Sequence, residues 1–295
     1  MSFVGRSHLG PEDLVLCAGT VPGTDIRARV EAAAAAGYRG IGLRAGECLH
    51  IRGGDSSVAD LRTLLADHDL EIGELDGLTH WATRHFAPGY PAGGRPGLRD
   101  PREAHEALWW VAEELGARTL NVMEMDRESG PIEMMAAGFA ALCDRAEPLG
   151  MLVQLEFLPW SGIPDPSAAA AIVRLAGRAN GGLCLDTWHL LRSGQGPENL
   201  VPDLTDLVVG IQVNDASATA GDDLLHETQH RRLLPGQGAA RVAAVLRRLR
   251  QAGVDAPVGV EVMSDELATL PPAVAAARAA AATRTVLAEA ATPSC

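Results

Sequence analysis

The sequence predicts an α/β protein built as a single (β/α)8 TIM barrel over residues 1–295. Short apolar runs alternate with longer stretches rich in Ala, Leu, Arg and Glu, the residues of good helices. There are eight such runs, the number at which a parallel sheet of this kind closes on itself. No stretch has the character of a domain linker. A doubly wound open sheet is the rival reading, but the first strand–helix turn, AGTVPGTD, lacks the glycine fingerprint of a dinucleotide-binding fold.

The first strand is expected at LVLCAGTV (14–21), with a helix over 25–36, and the second at GIGLRA (40–45), with a helix over 57–67. EIGELDGL (71–78) is the third strand, and RHFAPGYPAGGRPGLRDP (84–101) connects it to a helix over 102–115. Connections of that length are uncommon, and 84–101 reads equally as a lid loop or as a tolerated insertion. TLNVMEM (119–125) precedes a helix over 132–148, and MLVQLEFL (151–158) precedes one over 166–177. GLCLD (182–186), LVVGIQVND (207–215) and PVGVEVMS (257–264) complete the strands. A helix over 239–252 and an Ala-rich last helix over 272–291 cover them. Gly37, Gly150 and Gly253 stand where helices should end, as C-caps do.

Composition narrows the function. Hydrophobic residues make up 47% and charged ones 21%, a profile that supports a sizeable core. The 25 basic and 38 acidic residues leave a net charge of −13 without a basic block, which argues against nucleic acid or an anionic membrane as partner. Cys17, Cys48, Cys143, Cys184 and Cys295 are scattered and form no CxxC pair, so neither a disulfide framework nor a zinc–thiolate site is expected. The start, MSFVGRSHLGPEDLVLC, lacks the pattern of a signal peptide, and no apolar run is long enough to span a bilayer. A cytoplasmic protein with a small-molecule substrate is expected, and a homodimer or homotetramer is left open as the assembly.

The chemistry gathers at the strand ends. Side chains alternate along a strand, so Glu156 pointing inward takes Gln154 with it and sends Val153, Leu155 and Phe157 toward the outer helices. The same alternation turns Asp186, Gln212 and Glu261 inward at the C-terminal ends of the next three strands, the end where such barrels carry their active sites. Each alone has an ordinary explanation, and Asp186 could serve only as a helix N-cap. Four in succession point instead to a shared ligand. Carboxylates that close repel one another and are costly to bury unpaired, and one divalent cation relieves both. Three carboxylates and an amide oxygen are hard donors, favouring Mn2+, with Mg2+ or Co2+ as alternatives, over Zn2+.

LEFLPW, CLDTWHLLRSG, GIQVNDA, RLLPGQG and VGVEVMSDE resemble the xylose isomerase-like superfamily of sugar and sugar-phosphate isomerases and epimerases. The resemblance is strongest over residues 150–266, and the QVND variant is similar to its hydroxypyruvate isomerase-like branch. It implies that Glu156, Asp186, Gln212 and Glu261 bind the metal. It also implies that Glu156 and Glu261 exchange protons with substrate and that His189 and Arg232 contact it. Most members carry His where Gln212 stands. Trp160 and Trp188 flank these positions as apolar walls, and His80 with Trp81 could stack on substrate, cover the site or simply pack. Glu124 reads as a surface acid, with the pocket wall as its alternative.

The expected activity is isomerisation or epimerisation of a small polyhydroxy carbonyl compound through an enediolate, with a metal-dependent lyase or dehydratase as the first alternative. A phosphodiesterase like the apurinic endonucleases is disfavoured, because the second to fourth strand ends offer Arg44, Glu47, Asp76 and Glu124 with only His80 nearby. A non-catalytic ligand-binding barrel is disfavoured by the intact acid set.

Overall fold

The computed structural model describes residues 7–54, 57–82 and 101–292, and the expected lid loop at 84–101 lies outside them apart from the backbone of Pro101. The strands are β1 (Leu14–Leu16), β2 (Gly40–Arg44), β3 (Glu71–Leu78), β4 (Thr119–Met123), β5 (Leu152–Glu156), β6 (Gly181–Asp186), β7 (Val208–Val213) and β8 (Val258–Val260). They pair in parallel in sequence order, and β8 returns to β1, which closes the barrel. All eight expected strands are present, most of them shorter than their apolar runs. The trimmed residues, such as Phe157 and Asn214, leave the ladder to form the loops at the mouth.

The helices are α1 (Ile26–Ala35), α2 (Ala45–Arg52), α3 (Val58–Asp67), α4 (Pro101–Leu115), α5 (Ile132–Ala146) and α6 (Pro166–Ala176). They continue with α7 (Thr187–Arg192), α8 (Pro202–Thr205), α9 (Leu224–His230), α10 (Val242–Gln251), α11 (Asp265–Ala268) and α12 (Pro272–Ala291). Local chemistry sets their ends. At α6 the Asp165 carboxylate accepts from the Ser167 and Ala168 amides, Pro166 occupies the first turn, and Gly177 closes the helix at φ 63°. The expected C-cap glycines behave alike, with φ of 75° at Gly37, 69° at Gly150 and 76° at Gly253.

Two layers of side chains result. Leu16, Ile41, Leu43, Leu75, Leu120, Val153, Leu155, Leu183 and Val213 are buried in the hydrophobic core with helical residues such as Val30, Leu108, Phe139 and Val245. The barrel interior is polar by contrast. Glu74 of β3, Gln154 of β5 and Gln212 of β7 meet across it, the two amide nitrogens 2.8–3.1 Å from the Glu74 carboxylate. Gly210 makes room for this layer, since a Cβ there would stand 1.8 Å from Gln154 Oε1. Arg118 ties separate segments together by donating to the Val209 and Asp255 carbonyls at 2.7 and 3.1 Å.

Gly182 tests how tightly β6 and β7 approach. A Cβ there would lie 2.5 Å from the Leu207 carbonyl oxygen, a backbone atom with little freedom to yield. Gly182→Ala should cost about 1–3 kcal/mol. Thermal unfolding should show a Tm drop of about 2–4 °C per kcal/mol. Gly10→Ala, where nothing lies within 4 Å, should leave Tm unchanged.

Candidate active site and metal centre

Strand ends and one inserted arginine build the site. Asp186 ends β6 and also caps α7, its Oδ1 accepting from the His189 amide at 2.8 Å, so the ordinary role and the site role coincide. Asn214 just past β7 donates from Nδ2 to Asp186 Oδ2 at 2.6 Å, and its backbone is tied to the Thr187 hydroxyl. Asp215 accepts from the Gly236 and Ala240 amides at 3.0 and 2.8 Å, which folds the PGQG loop against β7. Arg232 leads into that loop, its own amide donating to the Met263 carbonyl at 3.0 Å.

The Arg232 side chain is 1% exposed. Its Nη1 lies 2.8 Å from Asp186 Oδ2 and 3.1 Å from Glu261 Oε2, while Nε and Nη2 donate to Thr228. From there polar contacts close a ring around the mouth. Arg232 Nη2 is 3.4 Å from His189 Nε2, which is 3.2 Å from Glu156 Oε1. Asn121 Nδ2 donates to Glu156 Oε2 at 2.6 Å and to Asp76 Oδ1 at 3.1 Å. Arg44 completes the circuit, 3.7 Å from Asp76 and 3.9 Å from Glu261 Oε1.

Burial pushes the Glu261 carboxyl up to about 8; Arg232 opposes the rise, and Asp76 and Glu156 add to it. Burial also lifts Glu74 far above the carboxylate range, with Asp76, Glu261 and Glu156 adding repulsion. Burial would raise Asp186 as well, but Arg232, His189 and the hydrogen bonds it accepts hold it below its ordinary value. Glu74, Asp76, Glu156, Asp186 and Glu261 thus face only two guanidinium groups among the described residues, Arg44 and Arg232.

The donor set fits a divalent cation. Gln212 Oε1 is buried without a hydrogen-bond partner because its amide nitrogen is spent on Glu74, so a hard oxygen remains to be satisfied. Glu156, Asp186 and His189 each offer one ligand atom within 4.8 Å of the others. That trio joins two predicted ligands to the histidine expected to contact substrate. Glu261 stands across Arg232 from Asp186, and Gln212 is the β-ladder neighbour of Asp186.

Trp188 is fully buried, its ring 5.1 Å from His189 and 6.2 Å from Trp160, with the Arg232 guanidinium 5.8 Å from its centroid. It backs His189 and Arg232, and half-buried Trp160 stands nearer the solvent side. His80 follows β3, its Nδ1 2.9 Å from the Thr79 hydroxyl. For Trp81 the structure shows the packed alternative, and for Glu124 it corrects the surface reading. Trp81 is packed edge-on against Phe139 and donates to the Met123 carbonyl at 3.1 Å, so it belongs to the core. Glu124 is 1% exposed, and its Oε1 accepts from the Asp126 amide at 2.9 Å, so it is an interior loop-holding acid.

Sequence reasoning missed Glu74, Asn121 and Asn214. After Glu71 at the start of the strand, Glu74 and Asp76 are acids two positions apart, the alternation that flagged Glu156, and the same test applied to β3 finds them.

A parallel eight-stranded barrel with an acid-rich mouth defines a class of metal-assisted (β/α)8 proteins. The chain belongs within it to the xylose isomerase-like TIM barrels, whose family profile matches residues 30–286. It is 29% identical over 260 residues to a 3-dehydroshikimate dehydratase of Pseudomonas aeruginosa, covering 87% of this chain and 38% of that protein. An inosose isomerase of Bacillus velezensis is 25% identical over 256 residues, covering 84% of this chain and 87% of the relative. An IolI protein solved with a zinc atom superposes with a TM-score of 0.76 at 21% identity, over 95% of this chain and all of that one.

Glu261 gives the site a pH signature. Its folded value of about 8 lies above its ordinary 4.5, so the folded state binds the proton more tightly. That stabilisation is complete below about 4.5 and is lost as pH rises through about 8; Glu74 acts in the same direction. Asp186 acts oppositely, but only below its ordinary 3.8. Metal-free protein should therefore lose Tm steadily from about pH 4.5 to 8, and saturating Mn2+ should remove the slope. Differential scanning fluorimetry across pH checks this, and a flat metal-free profile would count against it.

Proposed function

We propose that this chain binds one divalent cation, Mn2+ ahead of Mg2+ or Co2+, through Glu156, Asp186, Gln212 and Glu261. With it the chain isomerises or epimerises a small polyhydroxy carbonyl compound. The observation that carries the reading is a pair of buried glutamates on opposite sides of one mouth, Glu156 ending β5 and Glu261 following β8, with Asp186 and His189 close enough to Glu156 to share an ion. When bound, the cation supplies an electrophile for charge developing on the substrate's carbonyl and hydroxyl oxygens.

The chain's own groups handle the proton. One glutamate removes it from the carbon beside the carbonyl, leaving an enediolate, and the other returns it to the neighbouring carbon or to the opposite face. Asn121 and His189 orient Glu156 from its two oxygens, and Arg232 fixes Glu261. His189 Nδ1 has no partner, and Trp160 offers an apolar wall to a substrate ring. Four buried free thiols, Cys17, Cys48, Cys143 and Cys184, suit the reducing cytoplasm expected for this small-molecule enzyme. No helix among the described residues is long and apolar enough to cross a membrane. A homodimer or homotetramer is the assembly proposed, read by sedimentation.

A dehydratase is the second reading, supported by the 29% identical relative of that name. The same proton is removed, but the electron pair then expels a neighbouring hydroxyl, which leaves as water after protonation by the second glutamate.

Turnover of inosose, ketoses and 3-dehydroshikimate in D2O with each metal separates the readings. Isomerisation or epimerisation puts deuterium into the sugar, whereas dehydration gives an absorbing unsaturated product. Glu156→Gln and Glu261→Gln should each lower kcat by about 10²–10⁴-fold even at saturating metal. Asp186→Asn should recover with excess metal. Wild-type turnover in both Gln variants would make the glutamates ligands only and refute the mechanism.

A further inference from the structure

Arg44 differs from every other member of the mouth ring. Its side chain is 38% exposed, against 1% for Arg232 and 2% for His189. Its carboxylate neighbours stand at 3.7 Å (Asp76) and 3.9 Å (Glu261), beyond hydrogen-bond reach. Among the described residues its single short side-chain contact is Nη2 to the Met263 sulfur at 3.2 Å, a weak acceptor. The backbone beneath it is nonetheless fixed, since the Arg44 amide donates to Glu47 Oε2 at 2.8 Å and Glu47 is held by buried Arg29. The turn after β1 is shaped around the guanidinium. A Cβ on Gly19 would fall 2.7 Å from Arg44 Nη2 and 3.1 Å from Glu261 Oε1. A planar fork of donors is thus cradled at the rim of the reaction site with its strong hydrogen bonds unspent.

We propose that Arg44 anchors a carboxylate carried by the substrate, which makes this a site for polyhydroxy carboxylates rather than neutral sugars or sugar phosphates. The inference rests on the reading of this mouth as the substrate site. A carboxylate matches the guanidinium fork with two parallel hydrogen bonds. It brings one negative charge to a rim already rich in acids. A phosphate brings more charge to the same place, and among the described residues the other guanidinium of the ring, Arg232, is spent on Asp186, Glu261 and Thr228. A neutral hydroxyl would leave the donor fork without a charged hydrogen-bond acceptor once Glu261 is committed to a cation and the substrate has displaced water, since Asp76 stays 3.7 Å away.

Calorimetry on the Mn2+-loaded chain tests this with matched pairs, shikimate against methyl shikimate and glucuronate against glucose. Each acid should bind about 10–100-fold more tightly than its neutral partner, the range of a charge-assisted bidentate contact. Arg44→Met, which keeps length and packing, should bring each acid and its neutral partner to equal affinity. Arg44→Lys should retain part of the preference. Gly19→Ala should weaken it by displacing the guanidinium without removing it. Equal or absent binding of acid and neutral partner in the wild type, or a preference that survives Arg44→Met, overturns the proposal. So does tighter, Arg44-dependent binding of glucose 6-phosphate than of glucuronate. Turnover is scored separately. Arg44-dependent acid binding without any metal-dependent turnover would refute the isomerase and dehydratase readings and leave the anchor standing. Turnover of neutral sugars with no acid preference would do the reverse.

Discussion

Arg232 reaches the acid-rich end of the barrel from the segment after α9, held there by the Thr228 carbonyl and hydroxyl, and presents Nη1 to both Asp186 and Glu261. Without that charge, three buried carboxylates from neighbouring strands would face one another in a low-dielectric space, where an unpaired ion costs several kcal/mol. Removing one member of such a pair is more damaging than never having had it, because the partner stays buried. The compensation is incomplete: Glu261 remains raised to about 8 despite the guanidinium beside it. Among the described residues Arg232 offsets the buried carboxylates only in part, and a divalent cation fits the remaining deficit.

The same groups that serve chemistry also hold the fold together. Asp186 caps α7 while facing Arg232, and Asn214 locks the end of β7 to the start of α7 through Thr187. Asp215, one residue on, pins the PGQG loop. Fold and site therefore share hydrogen bonds over β6–β7, and a substitution there acts on both. The polar layer deeper in the barrel works similarly. Glu74 collects the amide nitrogens of Gln154 and Gln212, which leaves both amide oxygens, Gln212 Oε1 among them, without a partner among the described residues. The orientation of a predicted ligand is thus set from inside the barrel by a residue that contacts neither Asp186 nor Arg232 by any hydrogen bond or ion pair.

Most of the barrel was legible because each strand is a short apolar run bounded by helix caps, and local signals of that kind survive in a single sequence. Glu156, Asp186, Gln212 and Glu261 were legible as inward-facing strand ends for the same reason. Arg232 was harder: a loop arginine carries no periodicity, and its attachment to Asp186 and Glu261 comes from the return of a loop across β7 and β8. Glu124 was misjudged because burial at a strand-to-loop junction depends on the helices packed behind it, which sequence spacing does not encode. Helix α2 was unread because AGECLHIR carries little amphipathic contrast, and its start is fixed by the long-range pair Arg29–Glu47.

The ring of contacts joins two halves of unequal character. From β5 to β8 it is built of Glu156, Asp186, His189, Arg232 and Glu261, positions carried by motifs that resemble a whole superfamily. From β2 to β4 it is built of Arg44, Asp76 and Asn121, where the resemblance is architectural only. Proton removal beside a carbonyl needs only the first half, and isomerisation, epimerisation and dehydration all begin with that step. The fate of the intermediate depends on which of its faces meets an acid and which hydroxyl can leave. Both are set by how the rest of the substrate is held, and there the second half adds groups of its own to His189 and Trp160. Asn121 couples the halves directly, because one amide nitrogen donates both to Asp76 and to Glu156. A displacement of Asp76 is therefore felt at the hydrogen bond on Glu156, the glutamate proposed to transfer a proton. The two halves of the ring thus meet at two side chains among the described residues, Asn121 beside Glu156 and Arg44 beside Glu261.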